Sequence, residues 1–521
     1  MNEDPVILNF DPLSLPTAQH RAGLAGLLIL VDSMRRRKLG PIPTIEPVNE
    51  EYRIILTEEI VTALFNELYD SILIETTPGN KQANLEPIRV EESIDKKTGK
   101  TKSLYVYNQC VPKVAFFKYD FKMPEIWIKL WRDAVWKVIR DRPKKRIPYD
   151  DRLASRDVTE AKKFWKKLQQ FEKKRKGGIL ESSKISSSLF IGGQEFNAER
   201  VPFKGRVDEN FLLHFWPIVL GVFVPEKVED DQKSDADKPE FVIAIPDVID
   251  PNGFLEDFPG YIDRLNNKQI RFRPRGAVIS VPQEGALEYM YWLCYLTKQK
   301  FGQEDIAFKT VGVEVFHLER KGKNTVCHAD DRIEVSADLF NDYELFRGKF
   351  KNPIFRRQVI LNYLRKQPWY KGFDREFAVR RKKFFLGVSA SAFVEDVSQF
   401  FRVIRKSKES IMGEENLSKD LILRIRSIVA GYVKQKTEAK SETKIDLEEV
   451  RKRVCEGAFL RLRSCKSRRD FINFFTGTIC SVPHYIPKDD FERLSNALLE
   501  GETWMDVKAV AMMTLSSMSI V

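Results

Sequence analysis

The sequence predicts an α+β fold, with a large mixed N-terminal body over residues 1–375 and a C-terminal helical bundle over residues 376–521. Three observations lead to this prediction. A chain of 521 residues is too long for one hydrophobic core, so two or three domains are expected. Strand and helix patterns are mixed up to about residue 350, whereas helical patterns dominate afterwards. Short connections between those last helices favour antiparallel packing.

The body opens with a strand over residues 6–10 and a helix over residues 17–38, with Thr17 as its N-cap. The apolar stretch within that helix, residues 24–31, is too short to cross a bilayer, so burial is expected. A second helix is predicted over residues 57–72, then a hairpin tip at 95–100 and a strand after it. Apolar side chains at helical spacing predict an amphipathic helix with a buried face: Trp127, Leu130, Trp131, Ala134 and Val138.

Two basic segments follow that helix. Residues 140–152 (RDRPKKRIPYDDR) carry two prolines and many charges, which predicts an exposed loop. Residues 161–178 predict a basic helix that ends at a glycine pair, with Phe164, Leu168 and Phe171 facing inward. A run of charges usually means a solvated face. Here the excess of positive charge costs self-repulsion, which an anionic partner would relieve.

The remaining elements are assigned from their patterns. Residues 218–224 and 240–245 predict paired strands joined by a long, mobile acidic loop. Residues 266–275 alternate amides and arginines with apolar residues, which is typical of an exposed edge strand and also suits contacts with base edges and phosphates. A core helix at 288–300 and a strand at 309–318 complete the body. The bundle helices are predicted at residues 389–406, 417–434, 447–463, 489–499 and 503–517, with a flexible linker at 434–444.

Charge and cysteine content narrow the class of protein. The net charge of +12 and the pI near 9.1 favour a polyanionic partner, because lysine and arginine release counterions when they neutralise phosphates. Apolar residues at 43% and charged residues at 31% are normal for a soluble protein. The six cysteines form no CxxC pair and no signal peptide is recognised, so reduced thiols and a cytoplasmic location are expected, with no membrane partner.

Catalytic motifs are missing from the sequence. It has no GxxxxGK[ST] or GxGxxG phosphate loop, no HExxH and no GxSxG. The five histidines are scattered, and the neighbours Cys327 and His328 would point to opposite faces of a strand. The acidic run at 229–231 lies in a polar loop, a poor setting for a two-metal centre. We therefore predict no catalytic residue, no metal ligand and no cofactor.

Two segments carry a family resemblance. Residues 188–218 (SLFIGGQEFNAERVPFKGRVDENFLLHFWPI) and residues 15–28 (LPTAQHRAGLAGLL) resemble the large subunit of type I CRISPR interference complexes (Cascade), in the I-B or Myxan-like branch. The likeness extends over most of the chain, as an α+β body followed by a helical tail.

The resemblance implies a non-catalytic subunit of an antiviral ribonucleoprotein. Such a subunit sits beside the protein that binds the 5′ end of the CRISPR guide RNA, near the backbone and small subunits. It recognises the protospacer-adjacent motif in double-stranded DNA, helps to open the duplex into an R-loop, and recruits a separate helicase-nuclease. The body would supply guide-end docking and motif recognition. The helical tail would correspond to the small subunit, for which an internal start such as Met412 is one option.

Amides and arginines beside flexible glycines are suited to reading bases. Gln and Asn pair with adenine and Arg with guanine in the major groove, while nearby cations hold phosphates. A glycine turn feeding a capped helix is the competing interpretation of the first segment. The candidates for motif recognition are Gln194, Asn197, Arg200, Lys204, Arg206, Asn266, Asn267, Gln269, Arg271 and Arg273.

A second set of basic residues is suited to contacts with the guide–target heteroduplex or the displaced strand, without regard to base sequence. A solvated surface competes with this role for each residue. The candidates are Lys144, Lys145, Arg146, Lys166, Lys167, Lys173, Lys174, Arg424, Arg426, Arg461, Arg463, Arg468 and Arg469.

Two other functions compete with DNA recognition. One is a nuclease or nucleotidyl transferase whose metal site is assembled from distant carboxylates. The other is a general RNA-binding assembly protein with no role on DNA. Metal-dependent cleavage by the purified chain would indicate the first, and co-purification with a heterogeneous RNA pool the second.

Overall fold

The computed structural model describes residues 4–77, 81, 86–94, 101–140, 143–178, 181–186, 189–192, 202–226, 240–301, 309–321, 324–335, 343–344, 347–406, 417–440, 446–481 and 486–520. The chain divides into two compact units, the first formed by Met1–Pro225 and Lys233–Ala337 and the second by Glu226–Gln232 and Asp338–Val521. The first mixes strands and helices, and the second is helical over its described part, so the predicted α+β class is confirmed.

The boundary between the two units lies earlier in the chain than the sequence pattern predicts. The sequence places the change of character near residue 375, whereas the second unit begins at Asp338. Two helices between these points therefore pack with the bundle. Across the described ranges, no helix combines the length and the apolar character needed to cross a bilayer.

The strands of the first unit form small antiparallel sheets and one larger sheet. The larger sheet has the order β13-β9-β10-β14-β15, and the three-stranded sheets have the orders β1-β3-β2 and β4-β6-β5. The strands are β1 Val6–Phe10, β2 Thr44–Val48, β3 Glu51–Leu56, β4 Ser71–Thr76, β5 Arg89–Ile94, β6 Thr101–Pro112, β7 Ser182–Lys184, β8 Lys204–Arg206, β9 Gly221–Pro225, β10 Glu240–Val248, β11 Gln269–Ile270, β12 Arg273–Pro274, β13 Val278–Ile279, β14 Thr310–Lys321 and β15 Asn324–Glu334. The antiparallel pairing of β9 with β10 confirms the predicted strand pair.

The helices of the first unit are α1 Ala18–Arg36, α2 Glu58–Leu68, α3 Glu125–Ala134, α4 Ile147–Leu153, α5 Thr159–Lys176, α6 Val207–Leu212, α7 Pro251–Arg264 and α8 Pro282–Phe301. The central helix is α1, whose predicted burial is confirmed by the full burial of Leu24, Leu27 and Leu30. A Cβ atom at Gly23 would lie 2.2 Å from the Leu212 carbonyl oxygen. Glycine therefore lets the backbone of α1 approach the end of α6 closely.

The helices of the second unit are α9 Pro353–Leu364, α10 Phe373–Val379, α11 Ser391–Lys406, α12 Lys419–Glu438, α13 Asp446–Ser464, α14 Arg468–Phe474, α15 Lys488–Leu499 and α16 Thr503–Ser517. The last of these, α16, is buried along nearly its whole length and contacts α11, α12, α13 and α15. A helix that is enclosed on all sides organises the bundle around it.

Further sequence predictions differ from the structure. The predicted helix 57–72 ends at Leu68, and Ser71 and Ile72 belong to β4. Residues 140–152 do not form an exposed loop, because they contain α4 and the buried side chains of Arg140 and Tyr149. The linker predicted at residues 434–444 does not begin at residue 434, because α12 continues to Glu438. Thr17 occupies the N-cap position of α1, but its hydroxyl contacts His20 Nδ1 at 2.8 Å instead of capping a backbone N–H.

Candidate nucleic-acid interface

A small hairpin projects from the first unit at residues 269–274. Gln269 pairs with Pro274 and Ile270 with Arg273, so only two residues remain for the turn. One of them, Arg271, adopts a left-handed backbone conformation with φ of +57°. The other is Phe272, whose side chain is 83% exposed. A tight two-residue turn therefore presents a cation and an aromatic ring to solvent together.

Contacts at the base of the hairpin fix its direction. The indole Nε1 of the buried Trp127, on α3, donates to the carbonyl oxygen of Asn266 at 3.0 Å. The Arg275 backbone N–H donates to the Lys268 carbonyl oxygen at 2.8 Å, which extends the pairing by one step. A Cβ atom at Gly276 would lie 3.4 Å from the Trp127 ring. The hairpin is thus anchored on α3, while Arg271 and Phe272 at its tip remain exposed.

The predicted motif-reading residues of this segment meet at the hairpin. Asn266, Asn267, Gln269 and Arg271 are exposed around it. Arg273 is exposed by surface area, but burial of part of its side chain lowers the pKa of its guanidinium, and Asp133 and Glu240 oppose that shift. An arginine stays charged after such a shift. The cluster therefore offers amide and guanidinium donors beside the exposed ring.

Phe272 was not among the residues predicted from sequence. Most aromatic side chains of the described residues are buried. The available signal for Phe272 was its position between two arginines in a polar, proline-containing stretch.

The described parts of the distinctive segment, residues 189–192 and 202–218, contact α1. The Gln19 side chain donates from Nε2 to the Ile191 carbonyl oxygen and accepts from the Ile191 N–H through Oε1, both at 2.9 Å. The Trp216 indole donates to the Leu189 carbonyl oxygen at 2.7 Å. These bonds hold the backbone just before the predicted motif-reading residues Gln194, Asn197 and Arg200, which lie outside the described residues.

The two basic residues at the end of that segment differ in their surroundings. Lys204 is exposed at the start of β8. Arg206 forms ion pairs with Asp208 at 2.5 Å and Glu209 at 3.4 Å, which raise the pKa of its guanidinium. Because those carboxylates already occupy its donors, Arg206 stabilises the start of α6 and has little capacity left for a phosphate.

Helix α5 presents the predicted basic face. Phe164, Leu168 and Phe171 are buried, which confirms the inward stripe. The side chains of Lys166, Lys167 and Lys173 are exposed, with no ion pair formed inside the described residues. Lys174 differs, because its ammonium group binds Glu181 at 2.7 Å. Lys166, Lys167 and Lys173 are therefore available to a polyanion, whereas Lys174 is already ion-paired.

Residues 144–146 are divided between surface and interior. Lys144 is exposed, and Lys145 lies in the same short 3₁₀ turn. Arg146 points inward: it donates to the Arg140 carbonyl oxygen at 2.8 Å and the Trp136 carbonyl oxygen at 2.6 Å. Its guanidinium also lies 4.4 Å from the centre of the Trp136 ring. These contacts stabilise the local fold.

The predicted basic residues of the helical unit are dispersed over several contacts. Arg424 pairs with Asp490 at 2.8 Å, and Arg463 and Arg468 donate to backbone carbonyl oxygens at 3.2 Å and 2.6 Å. Arg461 and Arg469 are exposed. The guanidinium of Arg426 lies 4.5 Å from the centre of the Phe401 ring. Their surroundings therefore differ from one residue to the next.

Histidines and carboxylates converge at one place in the described part of the chain. A β-bulge in the pairing of β14 with β15 turns His328 toward His317, with ring centres 5.2 Å apart, and His328 contacts Glu319. Even so, the described residues hold no group of three side chains that could coordinate a metal ion. Burial lowers the pKa of His20 to about 4 and that of His214 to about 3, so both are neutral core residues.

Comparison with protein families assigns nearly the whole chain to two domains of one family. The N-terminal domain of type I-B CRISPR Cas8b matches residues 42–303, and its C-terminal domain matches residues 310–518. The chain belongs to the Cas8b family. No curated protein matches the chain. The resemblance predicted from sequence is therefore confirmed, and the anchored hairpin at 269–274 and the segment at 188–218 both lie within the Cas8b N-terminal match.

Proposed function

We propose that this Cas8b-family chain is the non-catalytic large subunit that recognises the protospacer-adjacent motif in duplex DNA and helps to separate the two strands. The family makes it a component of a type I-B CRISPR effector complex with a guide RNA and other Cas subunits. The observation that carries the finer proposal is the anchored hairpin with Phe272 at its tip.

The dimensions and chemistry of the hairpin support this role. A two-stranded ribbon fits the major groove of B-form DNA, where amides and guanidiniums distinguish base pairs. Apolar side chains such as Phe unstack neighbouring base pairs when they are inserted between them. Gln269 and Arg271 would contact base edges, and Phe272 would enter the stack. Motif recognition and the start of strand separation would then occur at the same point.

The lysines of α5 would hold the DNA backbone while the hairpin acts. Charged contacts to phosphates fix the position of a protein on a duplex without specifying its sequence. Lys166, Lys167 and Lys173 are exposed side chains of one helix, which permits several such contacts. The guide-end contact, the displaced-strand path and the docking surface for a separate helicase-nuclease are further parts of the proposal, supported by family membership.

Binding to motif-containing and motif-free duplexes tests the base-reading role. In the assembled complex, the double variant Gln269→Ala and Arg271→Ala should lose about 1–3 kcal/mol of discrimination per lost base contact. Arg53→Ala is the control, because Arg53 is a half-exposed arginine of the same unit that lies on β3, outside the hairpin. Equal losses on both duplexes would remove the base-reading role from the hairpin.

Co-purification tests the assignment to an RNA-guided complex. The tagged chain should bring down one class of guide RNA together with repeated backbone subunits. A heterogeneous RNA pool without those subunits would instead favour a general RNA-binding protein. Divalent-metal-dependent cleavage of DNA by the purified chain alone would contradict the non-catalytic part of the proposal.

A further inference from the structure

Three arginines approach one another in the helical unit. Arg402 and Arg405 are one turn apart near the C-terminal end of α11, and Arg426 lies on the neighbouring α12. The guanidinium of Arg426 is placed beside α11 by its contact with the Phe401 ring, 4.5 Å from the ring centre. Arg402 follows Phe401 directly and Arg405 lies one turn after Phe401 on the same helix face, so the contact with Phe401 brings Arg426 near both of them. Their positive charges add to burial in lowering the pKa of Arg426.

Within the part of the chain that the structure describes, none of these three arginines forms an ion pair with a carboxylate. The two charged neighbours that act on Arg426 are both cations. Arg424, two residues earlier on the same helix, is ion-paired with Asp490 at 2.8 Å. The negative end of the α11 dipole favours Arg402 and Arg405, but Arg426 lies nearer the positive end of α12 and gains nothing from that effect. A bound anion would offset the repulsion.

We propose that Arg402, Arg405 and Arg426 form a binding site for a phosphate group. The planar guanidinium donates two parallel hydrogen bonds to phosphate oxygens, and three of them surround one or two phosphates. The phosphate comes either from a polynucleotide backbone or from a free oligophosphate. The polynucleotide case rests on the proposed function, whereas the phosphate site itself does not.

Thermal unfolding of the full chain with sodium tripolyphosphate tests the site directly, with sodium chloride at equal ionic strength as the reference. A ligand that binds only the folded state raises Tm. The rise should be present in the wild type, lost in the triple variant R402Q/R405Q/R426Q, and retained in R424Q. The triple variant removes mutual repulsion, so its Tm without ligand should not fall. If it does, the exposed single variant R405Q replaces it.

Salt-dependent binding of target DNA by the assembled complex identifies the source of the phosphate. If the arginines hold a nucleic-acid backbone, the triple variant should reduce the slope of log K against log salt by about 1–2, and R424Q should not. Tripolyphosphate stabilisation with an unchanged slope would assign the site to a free phosphate ligand. Loss of neither effect in the triple variant would overturn the proposal. If the hairpin variants do not lose discrimination between motif-containing and motif-free duplexes, motif reading by the hairpin is refuted. The tripolyphosphate result does not depend on that outcome.

Discussion

Replacing Phe272 with alanine should impair duplex opening while leaving the fold almost unchanged. The side chain is 83% exposed, so only the remaining 17% of its surface contacts the protein. For a ring of about 200 Å², that fraction corresponds to less than about 1 kcal/mol of folding stability. Stacking of an aromatic side chain on a base contributes about 1–3 kcal/mol. The variant should therefore bind fully paired target DNA about 5- to 150-fold more weakly.

The assay compares two targets that carry the same adjacent motif. One is fully paired, and the other contains a preformed bubble beside the motif, so that no base pairs need to be separated there. Phe272→Ala should weaken binding of the complex to the paired target and have much less effect on the bubble. Phe491→Ala is the control, because Phe491 is 59% exposed on α15 of the other unit. Wild-type binding of both targets by the Phe272 variant would refute insertion of the ring.

Three further outcomes follow from the structure. Replacing Lys166 and Lys167 with glutamine should lower the salt slope of DNA binding by about 2 for motif-containing and motif-free duplexes alike, whereas glutamine at the ion-paired Lys174 should change it less. Trp127→Phe removes the indole donor to the hairpin base, which should cost about 1 kcal/mol of stability in urea titrations and reduce motif discrimination. Asp396 has a pKa raised by burial from 3.8 to about 6, so its contribution to stability is lost as pH rises through 6. When the pH is raised from 5 to 7.5, the free energy of unfolding of Asp396→Asn should therefore increase by about 1 kcal/mol relative to that of the wild type. A difference between the two proteins that does not change with pH would contradict this.

Local periodicity was sufficient for most helices of the second unit. The predicted span 503–517 coincides with α16, and 447–463 differs from α13 by one residue at each end. Apolar residues at helical spacing over several turns leave few other conformations that bury them. The same reasoning misjudged residues 140–152, because charges and prolines there conceal the buried pair Arg140 and Tyr149.

The availability of a basic side chain could not be predicted from its own neighbourhood. Arg424 is neutralised by Asp490, which lies 66 residues away in sequence. Arg402 and Arg405 lie near the C-terminal end of α11, and Arg426 comes near them only through its contact with Phe401. Which charges are paired depends on tertiary contacts between distant segments, and composition records only their total.

The hairpin and the backbone at Ile191 are held in the same way. In each case a buried polar side chain of a helix holds the backbone next to residues proposed to contact DNA: Trp127 of α3 binds Asn266, and Gln19 of α1 binds Ile191 from both sides. Fixing these backbones before binding reduces the entropy that recognition would otherwise lose. The Trp127 anchor lies at the base of the hairpin, away from the exposed Phe272 at its tip, so it can hold the hairpin in position without contacting the tip.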